Sequence, residues 1–158
     1  MDTIDEVRDA SRLRELAERY ARTADAGDVD GFVSVFHPDA VLEVWRPERT
    51  DGPSGVRRGH GELAGVPPAL QRYTRTDHRV LDVVTTMVDD DSATGAVTCE
   101  AHHVQVADDG AVEDLVMSVA YRDRYRRGAD GVWRIAHRRV GIERIDVLPL
   151  TGTPQEDS

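Results

Sequence analysis

Two residues in the middle of the chain, Cys99 and His103, have side chains that could do chemistry. Histidine is the simplest general base near neutral pH, because its unperturbed pKa is about 6.5. His103 ends a row of alternate apolar residues (Val97, Cys99, Ala101), so in a strand it is a polar group on an inward face. It could act as an acid or base or contact a substrate, or it could be a satisfied histidine at the rim of the core. Cys99 is expected to be a small core residue, since a thiol nucleophile needs an activating base beside it.

Glu100 and His102 share the opposite face of the same strand at a spacing that metal ligands can use. No third ligand accompanies them, and no HExxH motif occurs, so we expect no metal site. One cysteine cannot build a cysteine-rich zinc or iron–sulfur site. No GxGxxG or P-loop motif is present, so no nucleotide cofactor is implied. The sequence therefore predicts chemistry without a cofactor.

The composition narrows the class of protein. A chain of 158 residues is one domain by the usual size prior. Lys and Arg number 20 against 30 Asp and Glu, and the net charge of −10 would repel a phosphate backbone, so nucleic-acid binding is not expected. No apolar run approaches the roughly 20 residues of a membrane span, and no signal peptide is recognisable. We expect a cytoplasmic protein that does not interact with membranes.

The first half of the chain predicts helices. Residues 5–25 carry apolar residues at helical spacing, with Tyr20 near the centre of the stripe. Asp25 lies roughly 110° from that centre, at the rim between helix and sheet. A second helix is expected at Val29–Phe36, ended by His37-Pro38-Asp39 because proline cannot continue a helix.

A less regular segment follows these helices. Ala40–Trp45 reads as a strand, and Arg46–Gly55 is rich in turn formers and reads as a loop. Residues 61–73 are mixed: they could begin with a short helix, which Pro67-Pro68 would break or kink.

The second half predicts an antiparallel meander, because four strand-like runs are separated by short turns. The runs are Arg79–Val88, Thr94–Val106, Asp114–Arg126 and Val132–Ile145. Helices followed by such strands give an α+β fold, in which a strongly curved, mainly antiparallel sheet wraps the helices as a cone-shaped barrel with a pocket at its open end. Residues 1–150 form this single domain, and residues 151–158 a polar tail.

Alternation sorts the strand residues only in part. Met117, Val119 and Tyr121 are expected to face inward beside the apolar row of the preceding strand. In the last strand one face carries Trp133, Ile135 and His137, and the other carries Ala136, Arg138 and Val140. Alternation alone does not decide which of these two faces is inside.

Four stretches, in this order and spacing, are similar to those of a known family. They are Arg12–Phe36 (RLRELAERYARTADAGDVDGFVSVF), His37–Leu42 (HPDAVL), Thr76–Val80 (TDHRV) and Ala120–Val140 (AYRDRYRRGADGVWRIAHRRV). The chain resembles the SnoaL-like branch of the nuclear-transport-factor-2-like superfamily. That branch includes scytalone dehydratase, hexachlorocyclohexane dehydrochlorinase and bile-acid dehydratases, with polyketide cyclases and ketosteroid isomerase as more distant relatives.

The resemblance implies an acid/base dyad. Asp25 and His78 match the Asp at the end of the first helix and the His before the meander in dehydratase-type members. Tyr20 matches a tyrosine of the bile-acid type, and Arg138 looks like the pocket arginine of the dehydrochlorinase, with Arg139 a rival by one register step.

Each of these matches has a plainer alternative. Asp25 could be a helix-end capping or salt-bridging residue, and His78 an ordinary residue at the start of a strand. Tyr20 and Tyr121 could donate a hydrogen bond to a substrate oxygen, or they could be packed aromatics with satisfied hydroxyls. Arg138 could stabilise a developing anion or pair with a carboxylate on the sheet.

The leading hypothesis is a cofactor-independent lyase or isomerase, dehydratase-like, that acts on a small, largely apolar substrate with a hydroxyl or carbonyl group. In it Asp25, His78 and Tyr20 are catalytic. The candidates for substrate contact are Arg138, His103, Tyr121, Leu42, Cys99 and Met117. The alternatives are a polyketide cyclase or related tailoring enzyme, and a non-catalytic ligand-binding or assembly module. A homodimer or higher homo-oligomer is expected through the outward sheet face that carries Thr98, Glu100 and His102.

Overall fold

A computed structural model describes residues 2–150 and shows N-terminal helices packed on one curled, six-stranded sheet. The helices are α1 (Thr3–Ala26), α2 (Val29–Ser34), α3 (Gly59–Leu63) and α4 (Val66–Leu70). The strands are β1 (Phe36–Trp45), β2 (Gly55–Arg58), β3 (Arg75–Met87), β4 (Ser92–Val106), β5 (Val112–Arg127) and β6 (Trp133–Pro149). The strand order is β2-β1-β6-β5-β4-β3, and only the pairing of β1 with β6 is parallel. The predicted α+β cone is confirmed; the predicted tail, residues 151–158, lies outside the described residues.

Helix α1 is defined by its caps and by its apolar stripe. The Asp2 carboxylate accepts a hydrogen bond from the backbone N–H of Ile4, and Gly27 ends the helix at φ 68°, a left-handed conformation that glycine adopts without strain. The stripe is buried against the sheet through Leu13, Leu16, Ala17, Tyr20 and Ala24. No helix within residues 2–150 is long and apolar enough to cross a membrane.

The segment after α2 differs from the prediction. Helix α2 ends at Ser34, and His37-Pro38-Asp39 lies inside strand β1 rather than in a helix stop. The pairing of β1 with β6 shifts register between Phe36 and Val41. Pro38 has no N–H to donate to a neighbouring strand, and strands tolerate proline at such irregularities in the pairing.

The predicted loop is followed by a strand that the sequence did not indicate, and the double proline needs correction. Gly55–Arg58 forms a short edge strand, β2, which pairs with β1; four residues are too few to show an alternating pattern. Pro67 and Pro68 lie in the first turn of α4 rather than breaking a helix, because the first-turn N–H groups have no partner inside the helix.

A β-bulge decides which face of β6 is inside. Tyr125 pairs with Ile135, but the next pair joins Arg124 to His137, so Ala136 is an extra residue without a cross-strand partner. The side chains therefore change face at this point. The buried residues of the strand are Trp133 and Ile135 before the bulge and Arg138 and Val140 after it.

The bulge also decides which of the two neighbouring arginines is inside, since alternation places them on opposite faces. Arg138 is completely buried, whereas Arg139 faces outward and stacks on the Trp45 ring at 3.9 Å. Arg138 is therefore the interior arginine.

Gly95 makes room for a buried tyrosine on the neighbouring strand. A Cβ atom at Gly95 would lie 2.6 Å from the Tyr125 ring. We expect Gly95→Ala to lower the free energy of unfolding by about 1–3 kcal/mol, the usual cost of overpacking a core, as measured by urea titration. Gly55→Ala is the control, because nothing lies within 4 Å of a Cβ there; equal effects of the two substitutions would contradict the packing argument.

Candidate active site

Asp25 and His78 meet where the end of α1 reaches the start of β3. The Nδ1 atom of His78 lies 2.6 Å from Oδ1 of Asp25. The backbone N–H of His78 donates to Oδ2 at 2.8 Å, and the Thr76 hydroxyl donates to Oδ1 at 2.9 Å. The carboxylate is thus fixed by three hydrogen bonds from a single strand.

These hydrogen bonds keep the Asp25 carboxyl ionised. Burial raises the pKa of the Asp25 carboxyl, but the hydrogen bonds from His78 and Thr76 outweigh it and hold that pKa below its usual value. An ionised Asp25 favours the tautomer in which Nδ1 of His78 carries the proton and Nε2 has a free lone pair. The His78 side chain is 10% exposed and that of Asp25 22% exposed.

His103 lies beside the dyad in a nearly closed environment. Its ring is edge-on to that of His78 at 5.2 Å and stacked under the Tyr73 ring at 4.6 Å. The residue is 7% exposed, and neither ring nitrogen has a hydrogen-bond partner within residues 2–150. Burial, together with the neighbouring His78, lowers the pKa of His103 to about 4. The imidazole is therefore neutral near pH 7, with one free donor and one free acceptor.

This depressed pKa predicts a pH dependence of stability. A histidine that titrates at about 4 when folded and at about 6.5 when unfolded stabilises the protein fully above pH ~6.5, and the contribution declines as the pH falls towards 4. We expect His103→Phe to lose less stability than the parent protein when the pH is lowered from about 7 to about 5. Urea unfolding at both pH values measures this; parallel losses in the two proteins would contradict it.

Three further candidates form one stack deeper in the cone. The Arg138 guanidinium packs against the rings of Tyr20, at 4.3 Å, and Tyr121, at 4.2 Å, and the two rings contact each other at 5.5 Å. Its Nε and Nη2 atoms each donate to the Asp123 carboxylate at 2.8 Å. Burial raises the pKa of Tyr20 to about 12 and that of Tyr121 above its usual value, so both hydroxyls are protonated.

The structure buries Arg138 more deeply than the sequence predicted. Arg138 is 0% exposed, so it does not stand on an open wall. Five cavities within residues 2–150 are lined by other residues and include none of Asp25, His78, Tyr20 and Arg138. Sequence reasoning also missed Asp123, although it alternates with Tyr121 on the inward face of β5.

The remaining predicted contact residues lie on the interior face. Cys99 and Met117 are buried on β4 and β5, and burial raises the pKa of the Cys99 thiol, which disfavours a reactive thiolate. Leu42 is buried on β1, next to Arg138 across the parallel pairing, and it also lines a separate surface cavity of about 530 Å³. None of the three hydrogen-bonds the dyad.

The outward pair Glu100 and His102 gains a partner that the sequence did not suggest. His102 lies 2.7 Å from Glu100 through Nε2 and 2.7 Å from Asp114 through Nδ1. Hydrogen bonds from its ring nitrogens to the Asp114 carboxylate, and secondly to the Glu100 carboxylate, raise the pKa of His102. Both ring nitrogens are thus occupied by carboxylates, and residues 2–150 contain no group of three such side chains placed to hold a metal ion.

Comparison with known proteins agrees with this architecture. A family model for the SnoaL-like domain matches residues 5–139. A hexachlorocyclohexane dehydrochlorinase (LinA, type 2) has a similar structure, with TM-score 0.79, 17% identity and coverage of 96% of this chain and 95% of that one. A candidate scytalone dehydratase from Novosphingobium aromaticivorans gives a TM-score of 0.75, 14% identity and coverage of 96% and 94%.

A third structure is more similar in sequence. It is a Mycobacterium tuberculosis protein of unknown function, solved as an Asp-to-Asn variant, with TM-score 0.70, 30% identity and coverage of 92% of this chain and 77% of that one. A search of curated protein sequences finds no match. The chain belongs to the SnoaL-like domain family.

Proposed function

We propose that this protein is a cofactor-independent lyase or isomerase in which Asp25 and His78 form the acid/base dyad. The substrate is small and largely apolar, with a hydroxyl or carbonyl group. The observation that carries the proposal is the 2.6 Å contact between His78 Nδ1 and Asp25, which leaves Nε2 as the free base. A histidine oriented by a buried carboxylate is the usual arrangement of a general base.

The reaction begins with proton abstraction from carbon. Nε2 of His78 takes a proton next to a carbonyl or opposite a leaving group, and the electron pair of the C–H bond forms the new double bond. In a dehydration the C–O bond breaks, and the departing hydroxide receives a proton and leaves as water. That proton comes from the imidazolium that His78 has just become, and the neutral His103, whose ring nitrogens have no partner within residues 2–150, donates a hydrogen bond to the departing oxygen.

Tyr20 and Arg138 stabilise the oxygen that becomes negative. Tyr20 precedes Asp25 by five residues, or about 7.5 Å along the helix axis, so a small substrate can reach both the dyad and the stack. A buried guanidinium and a neutral phenol stabilise an enolate oxygen more strongly than water does. Substrate entry requires movement of a covering side chain, and Tyr73, which is partly exposed over His103, is in the position to move.

Elimination, double-bond migration and aldol-type ring closure share this first step, so a polyketide cyclase or related tailoring enzyme remains within the proposal. A non-catalytic binding or assembly module is the alternative from another class. Such a module would need neither a free base at Nε2 nor turnover. The experiment below distinguishes the enzyme from the binding module.

The test uses the aldol adduct of benzaldehyde and acetone, a β-hydroxy ketone that loses water to form benzalacetone. The conjugated product is followed by ultraviolet absorbance, and deuterium exchange of the α-protons in heavy water is followed by NMR. We expect the parent protein and the control His137→Gln, which changes a histidine outside the stack and the dyad, to accelerate elimination or exchange. If the parent protein accelerates neither, the binding-module alternative replaces this proposal.

We also propose a homodimer or higher homo-oligomer formed through the outward sheet face at Thr98, Glu100 and His102. In the monomer this face is incompletely covered, since Thr98 is exposed and the other two are half-buried. Sedimentation at tens of micromolar protein, in the range of weak dimer affinities, should give a mass above 17.5 kDa; a monomer at that concentration contradicts the proposal.

A further inference from the structure

Behind Arg138 lies a buried hydrogen-bonded chain that the proposed chemistry does not use. The Tyr125 hydroxyl donates to Oδ2 of Asp123 at 2.6 Å, and Asp123 accepts two hydrogen bonds from Arg138 at 2.8 Å. Tyr125 is 2% exposed, Asp123 4% and Arg138 0%. Gly95 provides the space for the Tyr125 ring. We call Asp123 and Tyr125 the clamp.

The clamp leaves one end of the guanidinium without a partner. Nε and Nη2 are bound to Asp123, whereas Nη1 has no hydrogen-bond partner within residues 2–150. A buried N–H of a charged group that stays unpaired is costly. The Tyr20 and Tyr121 rings both pack against the guanidinium and contact each other edge-on at 5.5 Å, and the two parallel hydrogen bonds to Asp123 fix the plane of the group. Nη1 of Arg138 therefore points in one fixed direction within the interior.

We propose that Asp123 and Tyr125 are positioning residues that orient Nη1 of Arg138 towards the substrate oxygen that becomes negative. The inference rests on the proposed function, because it assumes an oxygen that gains charge during the reaction. The clamp has a second consequence: the Asp123 carboxylate neutralises Arg138, so the interior around the stack has no net charge before substrate enters. Orientation and charge balance can therefore be separated by substitution.

Asp123→Asn removes the charge balance and loosens Arg138 together. An uncompensated guanidinium attracts anions, so we expect benzoate to bind at least about tenfold more tightly than to the parent protein, while benzamide, its neutral isostere, is unaffected. Turnover should move in the opposite direction. Misplacement of a catalytic group by about 1 Å can cost about a hundredfold in rate, so kcat for the benzaldehyde–acetone adduct should fall by up to that factor. A purely structural role would weaken binding and turnover together.

Tyr125→Phe keeps the charge balance and the ring and removes only the hydrogen bond to Asp123. If Asp123→Asn does not fold, Tyr125→Phe alone tests whether the clamp positions Arg138. We expect kcat to fall by about tenfold with KM within about twofold, because the lost interaction acts on the transition state. Benzoate should bind more weakly, and benzamide as before.

Asp9→Asn is the matched control. Asp9 is another buried carboxylate, 4% exposed, that pairs with Arg127 at 2.9 Å and with the Trp133 indole at 3.0 Å. It lies 11 residues before Tyr20, or about 16 Å along the helix axis. We expect it to lower the free energy of unfolding without changing kcat or the preference for benzoate over benzamide.

Calorimetric titration with benzoate and benzamide, run beside steady-state kinetics, decides between the outcomes. Opposite shifts of benzoate affinity in Asp123→Asn and Tyr125→Phe support the clamp. Unchanged kcat and benzoate affinity in a folded Tyr125→Phe protein would overturn it, and so would the same changes in Asp9→Asn. If the parent protein turns over nothing, the proposed function fails, but the calorimetric comparison still tests whether the clamp orients an anion-binding group.

Discussion

Replacing His78 with alanine is expected to lower turnover of the β-hydroxy ketone by about 10²–10⁴-fold, the range that general acid–base groups contribute. The fold should survive. Asp25 keeps the hydrogen bonds from the backbone N–H of residue 78 and from the Thr76 hydroxyl, and the side chain that is lost is at the edge of the interior. Steady-state kinetics and urea unfolding measure the two effects, and added imidazole should restore part of the lost rate.

Asp25→Asn keeps the His78 base but removes the carboxylate that fixes its tautomer. The amide cannot stabilise the imidazolium and permits the wrong tautomer at Nδ1, so we expect a comparable loss of turnover with little change in ligand affinity. The control His137→Gln should retain parent activity. A His78→Ala protein that keeps full turnover would exclude the dyad as the acid/base pair of the reaction.

The parts of the fold that follow a regular period could be predicted from the sequence. The stripe of α1 predicted a buried Tyr20 and a rim position for Asp25, and the alternation along β4 predicted an inward Cys99 and His103; all four lie as expected. These predictions hold because each face of a regular helix or strand meets a constant environment.

The sequence could not predict what depends on a break in the period. The bulge at Ala136 has no local composition signal, so the face of Arg138 stayed undecided until the strand pairing was known. The sequence analysis did not identify Asp123 as the partner of Arg138, although Asp123 alternates with Tyr121 along β5. A carboxylate among inward-facing apolar residues is itself a signal that a buried cation lies nearby.

The dyad itself needed long-range information. Asp25 and His78 are 53 residues apart in the chain, and no spacing rule brings a helix end to a strand start at that separation. Resemblance to the family supplied the pairing, and the structure places the two atoms at hydrogen-bond distance. The packing of Arg138 against Tyr20 and Tyr121 had no sequence signal, because it depends on contacts between distant elements.

The second large effect concerns stability. Arg138→Met is expected to lower the free energy of unfolding by about 3–5 kcal/mol, because it leaves the Asp123 carboxylate buried without its cation. Arg138 and Asp123 are 0% and 4% exposed, so water cannot replace the lost partner without opening the core. Urea titration at neutral pH measures the change.

Two further variants establish that the buried charge is the cause. Arg127→Met is the comparison at the other buried carboxylate, and its cost should be smaller, because the Arg127 side chain is 25% exposed and Asp9 keeps its hydrogen bond from Trp133. The double variant Arg138→Met/Asp123→Asn should recover part of the loss, since the two substitutions remove both charges and neighbouring sites are not additive. A single Arg138→Met variant within about 1 kcal/mol of the parent protein would show that the pair is not electrostatically isolated from water. The oriented guanidinium would then lose its physical basis, because only a desolvated, immobile charge can act on an enolate oxygen with the strength that the proposed reaction requires.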